Sequence, residues 1–154
     1  MIALLQRVSE ASVTVNGEQI ASIGAGVLAL VAVERGDGTA EAERMAERLL
    51  RFRLFADADG RMNLDVGAAG GQLMLVPQFT LAADTASGHR PSFSGSAPPA
   101  EAERLLEALI EAVRARGQAV ATGRFGAHMR LALVNDGPVT FSLRVRPAGT
   151  ASDN

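Results

Sequence analysis

The dipeptide Asn16-Gly17 constrains this chain more than any other feature of it. Before it, residues 11 to 16 (ASVTVN) alternate apolar and polar, with Val13 and Val15 on one face, and residues 18 to 23 follow it. Such a pattern predicts a two-residue antiparallel hairpin, because the tight turn needs positive φ at both central positions and Asn-Gly adopts them at least cost. The flanks then read as sheet too. Residues 2 to 8 (IALLQRV) form a strand before the hairpin. After Gly24-Ala25-Gly26 turns the chain, residues 27 to 34 (VLALVAVE) make an apolar run suited to a central strand. These glycines precede a strand, whereas a dinucleotide-binding loop needs them to precede a helix.

Two segments change from a strand period to a helical one. Thr39 is placed to cap a helix through about Phe52, with Glu41 and Glu43 near its positive end and Met45, Ala46, Leu49 and Phe52 as its apolar stripe. Pro98 and Pro99 introduce a second helix, about 100 to 116, ended by Gly117 and burying Leu105, Leu106, Leu109, Ile110 and Val113. Between them, Asp57-Ala58-Asp59-Gly60 resembles a calcium loop superficially. Its glycine falls too early and no acidic residue closes it, so a tight turn is expected. Short strands are expected at 62 to 66 and 72 to 77. Two more, about 129 to 135 and 139 to 146, surround Asn135-Asp136-Gly137-Pro138. The tail PAGTASDN, residues 147 to 154, has no large apolar residue to pack and is expected to be disordered. With neither repeat nor linker, residues 1 to 146 predict one α+β domain, many strands with two helices that each bury one face.

Composition removes whole classes of chemistry. The 154 residues include no cysteine, which excludes disulfides, thiol nucleophiles and thiolate metal sites. All fifteen basic residues are arginine, and lysine, tyrosine and tryptophan are absent, so Schiff-base and tyrosine acid–base chemistry are excluded. A net charge of −2 does not suit a protein that grips long stretches of nucleic acid; if RNA is handled, only a small part such as an end is held. The longest apolar run, Val27 to Val33, is far short of the ~20 residues that cross a bilayer. The opening MIALLQRVSE lacks the pattern of a signal peptide. A cytoplasmic protein with no membrane partner is expected.

The familiar catalytic constellations are missing. His89 and His128 lie far apart and in no metal-ligand spacing, so neither metal nor cofactor is expected, and no Gly-x-Ser-x-Gly elbow occurs. His128 reads as the start of a strand and His89 as a solvated residue of the polar loop TASGHRPSFSGS. Two oddly composed segments remain. Pro77-Gln78-Phe79-Thr80-Leu81 follows the strand LMLV and leads through Asp84 to Arg90-Pro91-Ser92-Phe93; it is either a strand running on through 81 or a functional loop at a strand end. Asn135-Asp136-Gly137-Pro138-Val139-Thr140 is either an ordinary turn or a second functional element.

Six segments together resemble one family in the right order: MIALLQRVSEASVTVNGE, RMNLDV, VPQFTLAADT, GHRPSF, TGRFGAHM and LVNDGPVTF. Along about residues 1 to 146 the chain is similar to the D-aminoacyl-tRNA deacylases, of the D-tyrosyl-tRNA deacylase type. The resemblance implies a largely antiparallel, curved or barrel-like sheet and a homodimer with its site at the subunit interface. It implies hydrolysis of the ester of D-aminoacyl-tRNA, and possible action on glycyl-tRNA, as chiral proofreading. By the family's pattern Gln78, Phe79 and Thr80 are the catalytic segment, and Gly137-Pro138 of the other subunit, joined by a cis peptide, is the chiral filter. Pro77 departs from the pattern, standing where family members commonly carry serine, and no role is assigned to its side chain.

The chemistry so implied needs no conventional nucleophile. An aminoacyl ester is already activated, the neighbouring ribose 2′-hydroxyl can assist, and main-chain N–H groups near Phe79 and Thr80 would stabilise the oxyanion. The implied partner is the acceptor end of aminoacyl-tRNA. Two rival readings are an esterase with Thr80 as nucleophile, which would need His89, Asp84 or another carboxylate as its base, and a non-catalytic dimer that binds a small ligand or nucleic acid.

Overall fold

The computed structural model describes residues 1–148, so the tail expected to be disordered lies outside the described residues from 149 onward. β1 (Ile2–Val15) turns at Asn16-Gly17 into β2 (Glu18–Ile23), with φ of 51° and 83° at the turn, the two positive angles the hairpin requires. β3 (Gly26–Ala32) leads to α1 (Thr39–Arg51). A small ribbon of β4 (Phe55–Ala56) and β5 (Met62–Leu64) follows, then β6 (Gln72–Pro77) and α2 (Pro99–Ala115). β7 (Val120–Thr122) and β8 (Arg130–Arg144) complete the chain. The six-stranded main sheet runs β2-β1-β3-β6-β7, with β8 also pairing β1. Pairings made by β1 are antiparallel; β3-β6 and β6-β7 are parallel. The sheet curls until β2 meets β6 and β7, a barrel-like α+β domain.

Four expectations are corrected. Residues 2 to 8 and 11 to 15 belong to one strand, interrupted by bulges instead of a turn. Thr39 is the first helical residue, and Gly38 is the cap; Glu41 reaches back to accept the Gly38 N–H at 2.8 Å. The two final strands are likewise one. Asn135–Pro138 is not a turn, because both flanks pair with β1: Gln6 opposes Thr140, and Val8 opposes Asn135. The residues between, Asp136 to Val139, stand opposite Arg7 alone, with Gly137 and Pro138 exposed and Val139 buried. The strand β7 was not anticipated. Asp57 does close a tight turn, its Oδ1 accepting the N–H groups of Asp59 and Arg61.

The bulges have a packing consequence. A sheet buried on both faces must satisfy two cores, and this one has two. Val27, Ala29, Val31, Leu73 and Leu75 face the helices, packing with Met45, Leu49, Leu105 and Leu109. Leu28, Met74 and Val76 face the barrel interior. That explains why β3 and β6 read as unbroken apolar runs. β1 passes from one core to the other: Ala3 and Leu5 lie under the helices, whereas Val8, Ala11, Val13 and Val15 lie in the barrel. Since alternate residues face opposite sides, the irregular register between Gln6 and Glu10 is what moves the apolar set across.

An ionic cluster ties the edges of this frame. The fully buried α-amino group of Met1 donates to Asp37 Oδ1 (2.8 Å), Glu34 Oε2 (3.1 Å) and Val145 O (2.7 Å). Arg144 Nε donates to Glu34 at 3.0 Å. Burial works to raise the Glu34 carboxyl, but the Arg144 hydrogen bond and the Met1 charge outweigh it and hold it below the usual range.

Candidate active site

β6 ends at a largely apolar cleft. Gln78 N–H makes the last ladder bond, to Val31 O at 2.7 Å, and the chain then tightens into a 3-10 turn, Phe79–Ala82. The strand therefore does not run on through 81. The next main-chain donor with a backbone acceptor is Leu81, to Gln78 O at 3.2 Å. The N–H groups of Phe79 and Thr80 between them have no acceptor among the described residues, as the first donors of a helical turn have none within it. The Gln78 side chain folds back so that its Nε2 donates to Thr80 Oγ1.

The cleft holds about 470 Å³. Val76 to Phe79 form its floor; Ala97, Pro99 and Ala102 at the head of α2 form one wall, and Phe125, Ala127 and Met129 the other. The close approach of the second wall depends on Gly123, where a Cβ would sit 2.9 Å from Met129 Sδ and 3.2 Å from Pro77 Cδ. Three polar side chains line this apolar space: Gln78, Ser96 and His128. Ser96 Oγ is buried without a hydrogen-bond partner among the described residues. At the mouth, the Phe79 ring is 57% exposed and packs against Phe93, with ring centroids 5.0 Å apart.

The sequence-predicted residues divide into two places. Gln78 and Phe79 line the cleft, and Thr80 follows them in the 3-10 turn without lining it. Gly137 and Pro138 do not line it; they sit on the β8 bulge, joined by a cis peptide. The bulge is braced from β1 and from within: Arg7 Nε donates to Asp136 O (3.1 Å), and Asn135 Nδ2 donates to Arg7 O (2.9 Å) and Val139 O (3.0 Å). Arg7 is itself held, its Nη1 donating to Leu54 O at 2.9 Å. The proposed bases for Thr80 lie elsewhere. Asp84 exchanges backbone bonds with Ser92 and accepts the Ala86 N–H at 2.9 Å, and His89 is on the exposed loop beyond. His128, read as a mere strand start, and Ser96 proved to be cleft residues. The segment TGRFGAHM was the one signal in the sequence that could have drawn attention to the former.

Comparison with known proteins supplies the family. The family model described as D-Tyr-tRNA(Tyr) deacylase matches residues 4–144. A D-aminoacyl-tRNA deacylase of Methylococcus capsulatus is 59% identical over 147 residues, 96% of each chain. One of Azotobacter vinelandii is 60% identical over 143 residues, 93% of this chain and 99% of its own. Among solved structures, a c-Myc DNA unwinding element binding protein superposes with a TM-score of 0.90 at 35% identity, covering 95% of this chain and 99% of its own. A probable eukaryotic D-amino acid tRNA deacylase, at 17% identity and a TM-score of 0.76, shares the fold, covering 92% of this chain and 98% of its own. The family model and the relatives define an enzyme class, a hydrolase acting on an ester bond. Within that class, the chain belongs to the D-Tyr-tRNA(Tyr) deacylase family.

Proposed function

We propose that this enzyme hydrolyses the ester of D-aminoacyl-tRNA in the cytoplasm, freeing the tRNA and the D-amino acid. The observation that carries the reading is the pair of unclaimed N–H groups, Phe79 and Thr80, at the edge of an apolar cleft with few polar side chains. The cleft takes the 3′-terminal nucleoside, and the ester carbonyl comes to the N–H pair. As the tetrahedral intermediate forms, its oxyanion accepts from these donors; one such donor is worth ~10²–10³ in rate. The ribose 2′-hydroxyl assists the attack, and holding it beside the ester contributes through positioning.

Gly137-Pro138 serves as the chiral filter, supplied by a second copy of the chain. The dipeptide protrudes from the strand and is absent from the cleft of its own chain, so completion of the site calls for a two-fold arrangement. Glycine brings main-chain atoms close to the substrate's α-carbon without a Cβ between. A wall of main-chain atoms reads only where the substituent points, so many D-amino acids pass while L-substrates collide. Glycine, with no side chain, passes too, which extends the substrate range to glycyl-tRNA.

The rival with Thr80 as nucleophile has no base bonded to that residue among the described residues: its hydroxyl oxygen accepts from Gln78, and Asp84 is committed within its own loop. The test is release of labelled amino acid from D-aminoacyl-tRNA, with mass spectrometry of the enzyme during turnover. Release without an acyl-enzyme is expected. No release would contradict the function, and an acyl group on Thr80 would transfer the mechanism to the rival.

A further inference from the structure

The arginines of this chain are unevenly employed. Arg44, Arg48, Arg116 and Arg144 all bond to carboxylates or carbonyls of the frame. Arg53, Arg61, Arg104 and Arg130 have no side-chain hydrogen bond or ion pair among the described residues, and two more such arginines lie on segments that adjoin the cleft. Arg90 lies exposed on the loop between Asp84 and Ser92, and Arg124 lies exposed next to the cleft wall; neither side chain has a hydrogen bond or ion pair among the described residues. The loop is not loose: Asp84 and Ser92 bond to each other at 2.7 and 3.0 Å, and Arg35 N–H holds Gly95 O at 2.8 Å. Its Phe93, 39% exposed, is packed against Phe79, which lines the cleft.

We propose that Arg90, Phe93 and Arg124 form a rim that holds the unpaired nucleotides preceding the terminal one, and this rests on the reading of the cleft given above. Unclaimed guanidinium groups beside an exposed aromatic ring suit a single-stranded nucleic acid: the ring stacks a base of any sequence and the cations take the phosphates. The terminal nucleoside enters the cleft, the base before it stacks on Phe93, and the phosphates on either side meet Arg90 and Arg124. Few charges are engaged, which agrees with the net charge of −2. Specificity for chirality and grip on the RNA are thereby separated, the first at the ester and the second at the rim.

The test compares a whole D-aminoacyl-tRNA with a 3′-(D-aminoacyl)adenosine, which reaches the cleft but not the rim. For the full-length enzyme and for Arg90→Gln, Arg124→Gln and Phe93→Leu, the ratio of kcat/KM between the two substrates is read across a salt series. Each substitution is expected to lower that ratio about 5- to 20-fold, the scale of a lost base stack or phosphate contact. Each arginine variant should also flatten the logarithmic salt slope for tRNA by about 0.7. An unchanged ratio with an unchanged slope would overturn the rim. So would dissociation of Phe93→Leu into monomers in sedimentation, since a second copy would then be what covers the aromatic pair. If the unaltered enzyme cleaves neither substrate, the reading of the cleft itself fails and takes the rim with it.

Discussion

Thr80 looks like a nucleophile by type, and its environment argues otherwise. Its oxygen receives the Gln78 amide, and neither an imidazole nor a carboxylate bonds to it among the described residues. Thr80→Ala is therefore expected to keep kcat/KM within about tenfold of the parent, whereas loss of a general base or oxyanion donor costs ~10²–10⁴; steady-state hydrolysis of D-aminoacyl-tRNA decides it. Gly137 is the opposite case. It has a φ of 146°, and a Cβ there would lie 2.6 Å from Val139 Cγ2 and 2.7 Å from Val139 N, so any side chain displaces the bulge. Gly137→Ala should reduce D-aminoacyl-tRNA hydrolysis by at least ~10²-fold, on the reasoning that small misplacements of a positioned group are costly. Retention of full activity and selectivity would remove the dipeptide from the site. At this scale the sequence singled out the segment Gln78 to Thr80, and the structure shows Gln78 and Phe79 lining a cleft; the roles given to them remain the proposal made above. The sequence was silent on Ser96 and His128, whose place in the cleft depends on which strands meet.

Glycine also decides how β3 meets β6. A Cβ on Gly26 would fall 2.0 Å from Gln72 O, a backbone atom in the paired strand that cannot step aside. Gly26→Ala should destabilise the fold by about 3 kcal/mol or more, at the upper end of overpacking costs, visible as a large fall in melting temperature or in soluble yield. An unchanged melt would mean the parallel pair is looser than described. Element boundaries were legible where period and punctuation coincide: β2, β6 and both helices lie within about two residues of expectation. They failed where tertiary pairing overrides local signals. Asn135-Asp136-Gly137-Pro138 has the composition of a turn, yet β1 pairs on both sides of it and extrudes it as a bulge. The same irregularity in β1 shifts the phase of its buried residues, so one strand reads as two. β7 has three residues, too few for any period to register.

For the molecule as a whole, the carboxylates that secure its edges set its pH range. Burial raises the Glu34 and Glu41 carboxyls, but Arg144 and the Met1 amine for the first, and the Gly38 N–H and Arg44 for the second, hold both below the ordinary value. A carboxylate so depressed binds its proton more weakly folded than unfolded, so its stabilisation is complete above the unfolded pKa and is lost as pH falls through the folded one. Thermal melts should be level from about pH 8 to 5 and fall steeply below about pH 4.5, with a shallower fall for Glu34→Gln. An equally steep fall in that variant would place the acid sensitivity elsewhere. Assembly belongs to this scale as well. If the Gly137-Pro138 bulge completes a neighbour's cleft, sedimentation should find a dimer at micromolar concentration, and a fully active monomer would refute the shared site. The most direct measurement of all is the ratio of kcat/KM for D- and L-aminoacyl forms of one tRNA, taken with a chelator present. The account predicts rapid release of the D-amino acid, undiminished by the chelator, and at least ~10²-fold slower release of the L-form, the scale of a steric collision of about 3 kcal/mol. Equal rates for the two forms would contradict it.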